Sequence, residues 1–316
     1  MQVPRVIHQT FRDEEEIPRQ WLEYRTSLLQ MHPNWKYQFW DDERCAAFVN
    51  TNFPTFAATY QKMMQQERVQ LFKYLLMYKE GGLFVDFDCE CLKPLDPIAE
   101  WMENDGKKIV MCQTDKERIE TAVVLSMPGH PFWIGLAQEI HQHPEKVPRW
   151  ASVLRNVSAI GYLWTTGPYR LTEFHKEHIE WHKEIHVLPT KYFYPKTWFQ
   201  RFRPTPHGHQ WPKESYTVHH YANSWMSHSD HLVFDHITSR RTLAAIKGIG
   251  ILLVLLIFVY GIIMTIAQRV RSSDKTEQAI RLLLGTPPAP RASITSPATA
   301  PTAIRPVSSL PVSPIR

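Results

Sequence analysis

Ten residues in the first third of the chain, Lys79-Glu80-Gly81-Gly82-Leu83-Phe84-Val85-Asp86-Phe87-Asp88, constrain the fold more than any other stretch. Leu83 to Val85 is apolar and partly β-branched, as a strand covered on both faces requires. The glycine pair ahead of it supplies a helix stop and the tight turn that feeds the strand. Asp86 and Asp88 then fall at the strand's carboxyl end, the edge at which open α/β sheets place ligands. In extended backbone the two carboxylates share a face and Phe87 takes the other, so both can reach one hard cation of the magnesium or manganese class. Such a cation offsets the charge of a diphosphate and makes a nucleoside diphosphate a better leaving group. Two aspartates one residue apart are by themselves a common loop feature; the helix, glycine pair and strand before them give the triplet its meaning.

The rest of the chain supplies the sheet that such a strand needs. Periodicity predicts strands over Arg5 to Phe11, Tyr37 to Trp40, Leu83 to Phe87, Lys108 to Gln113 and Thr121 to Ser126. It predicts helices over Pro18 to Met31, Glu43 to Val49, most of Phe56 to Tyr78, and Pro131 to His141. This alternation points to an α/β domain, a mostly parallel sheet with helices on both faces, and 316 residues leave room for one large domain with additions. The formal net charge of +5 does not indicate a nucleic-acid partner. Residues from Arg269 to Arg316 include seven basic and two acidic side chains, which accounts for the whole excess and leaves the main domain neutral.

Four cysteines, Cys45, Cys89, Cys91 and Cys112, are unevenly spread. Cys89 and Cys91 are too close together for the usual structural zinc pair; buried thiols are the expected state, with a disulfide as the alternative. His175, His178, His182 and His186 recur at spacings of three and four and would share a helix face. Glu173, Lys176, Glu177 and Lys183 lie among them, so a solvated face is expected rather than a metal stripe. Arg201-Phe202-Arg203 with Trp198 and Trp211 reads either as a contact for an anionic lipid headgroup or as a loop anchored by aromatics.

Gly248 to Ala267 is twenty residues without a charge, enough at about 1.5 Å per residue to cross a hydrocarbon core of roughly 30 Å. A transmembrane helix is expected over 247–268, and a disordered basic tail rich in Pro, Ser and Thr over 269–316. Arg269, Arg271, Lys275 and Arg281 after the span, against Arg240, Arg241 and Lys247 before it, favour a cytosolic tail and a lumenal main domain. The chain opens directly on its first strand without a leader, which favours a cytosolic domain or a further segment upstream. The one sequon, Asn156-Val157-Ser158, does not decide between them.

With these motifs in view, the chain resembles glycosyltransferase family 32, the DXD sugar-binding group. The resemblance is carried by Arg68 to Tyr78 with the glycines and aspartates after it, by Val3 to Phe11, and by His32 to Asp42. Further on it is carried by Met127 to Phe132, Thr166-Gly167-Pro168, and His219-His220-Tyr221-Ala222-Asn223-Ser224-Trp225. It covers about residues 3 to 228 and implies a GT-A type nucleotide-sugar-binding fold over a catalytic domain of residues 1–239. The fungal inositol-phosphoceramide mannosyltransferases look most similar. They imply a membrane-anchored, retaining, Mn2+- or Mg2+-dependent transferase with GDP-mannose as donor and a membrane lipid as acceptor, or a glycan in the alternative. A regulatory membrane subunit and a Golgi or other endomembrane setting are implied as well. In family terms Asp86 and Asp88 hold the metal with His220, and Trp225 acts beside them at the catalytic centre. His8, Gln9, Thr10, Gln70, Lys73, Gly82 and Ser224 surround the nucleotide sugar. The chain departs from the family pattern at Gln70 and Lys73, where Asp and Arg are usual; Lys lacks the bidentate fork of Arg, and a catalytically weakened membrane scaffold with the same fold is the alternative reading.

Overall fold

The computed structural model of the protein describes residues 2–114, 118–149, 151, 152, 161–197, 200 and 210–222. The chain divides into two units, 1–238 and 239–316, and every described residue lies in the first. The span expected at 247–268, the tail at 269–316, the sequon, the Arg201-Phe202-Arg203 cluster with Trp198, and Ser224 and Trp225 lie outside the described residues. Among the described residues no helix is long and apolar enough to cross a membrane.

The main sheet has six strands: β1 (Val6–Thr10), β2 (Lys36–Trp40), β3 (Gly82–Val85), β5 (Ile109–Gln113), β6 (Ile119–Ser126) and β7 (Ile185–Leu188), in the order β2-β1-β3-β6-β5-β7. Between β3 and β5 in the chain comes β4 (Cys89–Cys91), which pairs antiparallel with β8 (Thr217–His219) in a separate two-stranded sheet. In the main sheet β6 alone runs antiparallel to its neighbours, so the sheet is mostly parallel, as the strand and helix alternation predicts.

Both faces are covered. Helices α2 (Asp42–Asn52), α3 (Pro54–Lys62), α4 (Gln65–Lys79) and α6 (Pro131–Gln142) pack with α7 (Pro168–Glu177) against Phe84, Met111 and Val124. Helices α1 (Arg19–Met31) and α5 (Asp96–Asn104) pack against Leu83, Val85, Val110, Val123 and Leu125 on the other side. Alternate residues of β3 therefore feed two cores, which is why Leu83-Phe84-Val85 is apolar throughout.

The helix expected over Phe56 to Tyr78 is two helices, broken at Met63 and Met64, whose backbones are extended. Glu67 restarts the second by accepting a hydrogen bond from the Met64 amide at 3.0 Å. Leu71 to Met77 is buried without interruption, so α4 is not an amphipathic surface helix but the central rod of its layer. The histidines at 175, 178, 182 and 186 do not share a helix face. The helix ends at Glu177, a short 3-10 turn follows at Ile179–Trp181, and His186 lies in β7. His175 stacks on His182 with ring centroids 4.3 Å apart, and His178 stacks on Trp181. All four cysteines are buried and free. Burial pushes the thiols of Cys45, Cys91 and Cys112 up to about 12, against local hydrogen bonds.

The turn into β3 tolerates only glycine. Gly81 and Gly82 have φ of 64° and 91°, and a Cβ on Gly82 would lie 2.6 Å from Val6 Cγ1 and 2.7 Å from Val6 O. Gly82→Ala is therefore expected to destabilise the domain by more than about 2 kcal/mol, combining a left-handed backbone with a clash in the β1–β3 pair. A thermal midpoint within a degree of wild type would contradict this.

Candidate active site

Helix α4 places three polar side chains at a spacing of three, Glu67, Gln70 and Lys73, and all three are buried. Residues three apart on a helix share a stripe, and this one faces the carboxyl end of β3. Thr165 Oγ1 donates to Glu67 Oε1 at 2.6 Å, and Thr121 Oγ1 donates to Gln70 Oε1 at 3.0 Å. Lys73 Nζ donates to Asp86 Oδ1 at 3.1 Å, to Thr121 O at 2.9 Å and to Thr121 Oγ1 at 3.4 Å, and lies 4.2 Å from the centre of the Phe84 ring. These contacts engage all three hydrogens of the ammonium. Lys73 thus holds Asp86, where the family pattern would set it against the donor.

Asp88 is bound from the opposite side by β8. His219 Nε2 lies 3.3 Å from Asp88 Oδ1, and the Ala222 amide donates to Asp88 Oδ2 at 2.8 Å. Burial raises an aspartate, but the His219 charge and these hydrogen bonds outweigh it and hold the Asp88 carboxyl below its ordinary value. His219 responds in kind: burial lowers an imidazole, yet Asp88 holds its value above the usual histidine range. Both partners thus describe one ion pair. His219 Nδ1 is buried with no hydrogen-bond partner. The histidine brought to Asp88 is His219 rather than His220, whose Nε2 lies 3.0 Å from Glu90 Oε2 while its ring stacks on Tyr24 at 5.0 Å. The alternation of side chains along a strand separates the two, and the pairing of Cys89 with His219 decides which one turns inward.

Sequence reasoning missed Thr121, Glu120, Cys89 and the Ala222 amide. Thr121 ties Gln70 to Lys73, and Glu120 accepts from the Thr121 amide at 3.0 Å with its acidity weakened by burial. None carries a local motif. A period-two reading of β6 opposite β3, with Asp86 N donating to Ala122 O at 2.8 Å, is the signal that brings residues 120 to 122 to the aspartates.

Strand β1 turns its polar groups inward. Trp40 Nε1 donates to His8 Nδ1 at 3.1 Å, which leaves His8 Nε2 to carry the proton it donates to Gly81 O at 3.1 Å. Thr10 Oγ1 donates to Trp40 O at 2.7 Å, and Tyr37 donates to Gln9 Oε1 at 3.3 Å. His8, Gln9 and Thr10 therefore brace the β1–β2 edge, and Gly82 passes beneath His8 at the β3 turn.

The site offers two carboxylates and one imidazole, whose Nδ1 has no partner, with the Asp86 side chain 32% and the Asp88 side chain 13% exposed. That donor set suits a divalent cation with oxygen and nitrogen ligands.

The family model for a glycosyltransferase sugar-binding region containing a DXD motif matches residues 18–105. A mannosyl phosphorylinositol ceramide synthase of Saccharomyces cerevisiae is 28% identical over 180 residues, 57% of this chain and 43% of that protein. Inositol phosphoceramide mannosyltransferase 3 of Schizosaccharomyces pombe is 28% identical over 174 residues, 54% of this chain and 44% of its own length. The matched part of the chain spans less than half the length of these relatives. Among solved structures, mouse xyloside xylosyltransferase 1 aligns with a TM-score of 0.38 at 13% identity, over 70% of this chain and 98% of that one.

Two outcomes follow from the buried pairs. Lys73 is 1% exposed and has no route to water, whereas Asp86 can turn outward, so the two halves of their ion pair are unequal. Asp86→Ala is expected to cost about 3 kcal/mol of stability and Lys73→Met clearly less; denaturant midpoints in the reverse order would contradict the burial asymmetry. Burial, against the hydrogen bond to Gly81, lowers His8 to about 4 from 6.5. The unfolded chain then binds a proton there that the folded one refuses. His8 adds no pH dependence above about pH 6.5, and stability falls as pH drops from 6.5 towards 4, by up to roughly 3 kcal/mol. Thermal melts from pH 7 to 4.5 should fall less steeply for His8→Gln than for wild type, and equal slopes would contradict this. Residues 18–105, whose last quarter holds Asp86 and Asp88, are similar to the glycosyltransferase sugar-binding region containing a DXD motif.

Proposed function

We propose that the protein is a membrane-anchored, metal-dependent, retaining mannosyltransferase that uses GDP-mannose and acts on an inositol phosphoceramide type of sphingolipid within the endomembrane system. A GT-A type fold is part of this reading. The observation that carries it is the fixed pair Asp86 and Asp88 at the carboxyl edge of the sheet, inside a segment similar to mannosyltransferases of that lipid class.

Asp86 and Asp88, with His219 behind Asp88, are assigned to hold Mn2+ or Mg2+, which when bound supplies positive charge against the donor diphosphate. Burial raises the Asp86 carboxyl above its ordinary value and Lys73 opposes that rise, while its hydrogen bond aims the carboxylate before any ligand arrives. Gln70 is held by Thr121 at the same wall, where an amide can meet sugar hydroxyls. Ser224 and Trp225 keep their assignment beside the donor on the strength of the motif after β8. Gly248 to Ala267 supplies the anchor in this reading, so the acceptor headgroup and the cleft share one membrane surface.

Detergent-solubilised full-length protein should consume GDP-mannose among a panel of nucleotide sugars only with manganese or magnesium. With inositol phosphoceramide present it should form an α-mannosyl product. Asp88→Asn is the control, because it keeps an acceptor oxygen for the Ala222 amide while removing the charge; turnover should fall by at least about a hundredfold. Consumption of no donor, or equal turnover in Asp88→Asn, would overturn the assignment, and transfer to a glycan instead of the lipid would replace the acceptor.

A further inference from the structure

The antiparallel pair β4–β8 sets Cys89 directly opposite His219, so their side chains project from the same face of the small sheet. Asp88 immediately precedes Cys89. A carboxylate oxygen of Asp88, the Cys89 sulfur and a ring nitrogen of His219 all lie within 4.8 Å of one another, the one such convergence among the described residues. A thiolate, an imidazole and a carboxylate form a mixed donor set that suits zinc far better than magnesium or manganese, because sulfur is a soft ligand.

A second observation concerns the same histidine. His219 is 9% exposed, its Nε2 faces Asp88, and its Nδ1 is buried with no hydrogen-bond partner. An orphaned imidazole nitrogen at a buried position is costly unless something meets it. Asp88 is already fixed by the Ala222 amide, so the ligands stand on paired strands and a braced turn. Cys91, two residues on, has no such company; its sulfur donates to Lys93 O at 3.1 Å.

We propose that Asp88, Cys89 and His219 form a binding site for a thiophilic divalent cation, zinc foremost, with the fourth tetrahedral position left to water. Binding displaces the thiol proton of Cys89 and one imidazolium proton of His219 to solvent and forms one metal–sulfur and one metal–nitrogen bond, with no change of oxidation state. The site shares Asp88 and His219 with the hard-cation site proposed above, so the two cations exclude each other. Zinc then silences a centre that manganese or magnesium activates. The proposal stands on Cys89 and on the unmatched His219 nitrogen and does not depend on the transfer activity.

Cobalt titration of the full-length protein tests it, since a thiolate bound to cobalt gives a near-ultraviolet charge-transfer band that oxygen and nitrogen ligands do not. Wild type should develop the band, and one equivalent of zinc should remove it. Cys89→Ser should lack the band and bind zinc at least about tenfold more weakly, while Cys91→Ser should retain both. Cys89→Ala serves if the serine variant fails to fold by circular dichroism. No band in folded wild type, a band that persists in the Cys89 variants, or equal loss in Cys91→Ser would overturn the proposal. Manganese binding, measured in parallel, separates the two readings. Manganese bound without a cobalt–thiolate band removes the zinc site and spares the transferase, and the reverse result removes the hard-cation site and spares this one.

Discussion

A lysine ammonium sealed from water must be matched inside the protein, and the edge of this sheet is arranged around that requirement. Lys73 sits in the middle of the most buried helix with its ammonium over the Phe84 ring, where an unpaired charge would cost several kcal/mol. Its match is Asp86, assisted by Thr121. The same stripe of α4 engages Thr121 through Gln70 and Thr165 through Glu67. One helix thereby ties β3, β6 and the segment before α7 together by polar contacts that are expensive to break. The aspartate pair is consequently held in place before any ligand is present, which is the condition for a site to stabilise developing charge without moving.

Much of this was legible in the sequence, and the boundary between what was and was not has a physical cause. The glycine pair, the apolar triplet and the two carboxylates specify local geometry, and their strand, turn and sheet edge are where those residues required them. Elements made by long-range pairing were not legible. Thr217–His219 is three residues long and becomes a strand because Cys89–Cys91 lies beside it, more than a hundred residues away. The choice between His219 and His220 follows from that register alone, and a slip of one residue would exchange them. Lys73 illustrates a different limit. Its replacement of Arg reads as a weaker phosphate contact, but the ammonium meets its three partners within the protein, and no spacing rule shows that.

Strand β1 shows how polar side chains can fix a neighbouring turn. Trp40 can only donate, so His8 must present an unprotonated Nδ1, and Gly81 O fixes the proton on Nε2. A protonated ring would lose Trp40, which adds to the burial that lowers its affinity for a second proton. That bond fastens the turn at Gly81 to the neighbouring strand, and the turn is what delivers β3 and its aspartates at the right height.

Asp88 carries a further burden that Asp86 does not. The backbone of Asp88 accepts from the His220 amide at 2.9 Å, its side chain takes the Ala222 amide, and His219 closes on the other oxygen. The wall formed by β8 is therefore docked onto the second aspartate as much as onto β4, whose pairing covers only three residues. Closing so long a loop costs only slightly more entropy than closing one half its length, so a short ladder and one carboxylate suffice to hold it. The consequence is a coupling between charge and architecture. The two carboxylate oxygens that Asp88 has to offer are the same two that anchor the end of β8, so neutralising that side chain would loosen the wall as well as remove a charge from the site.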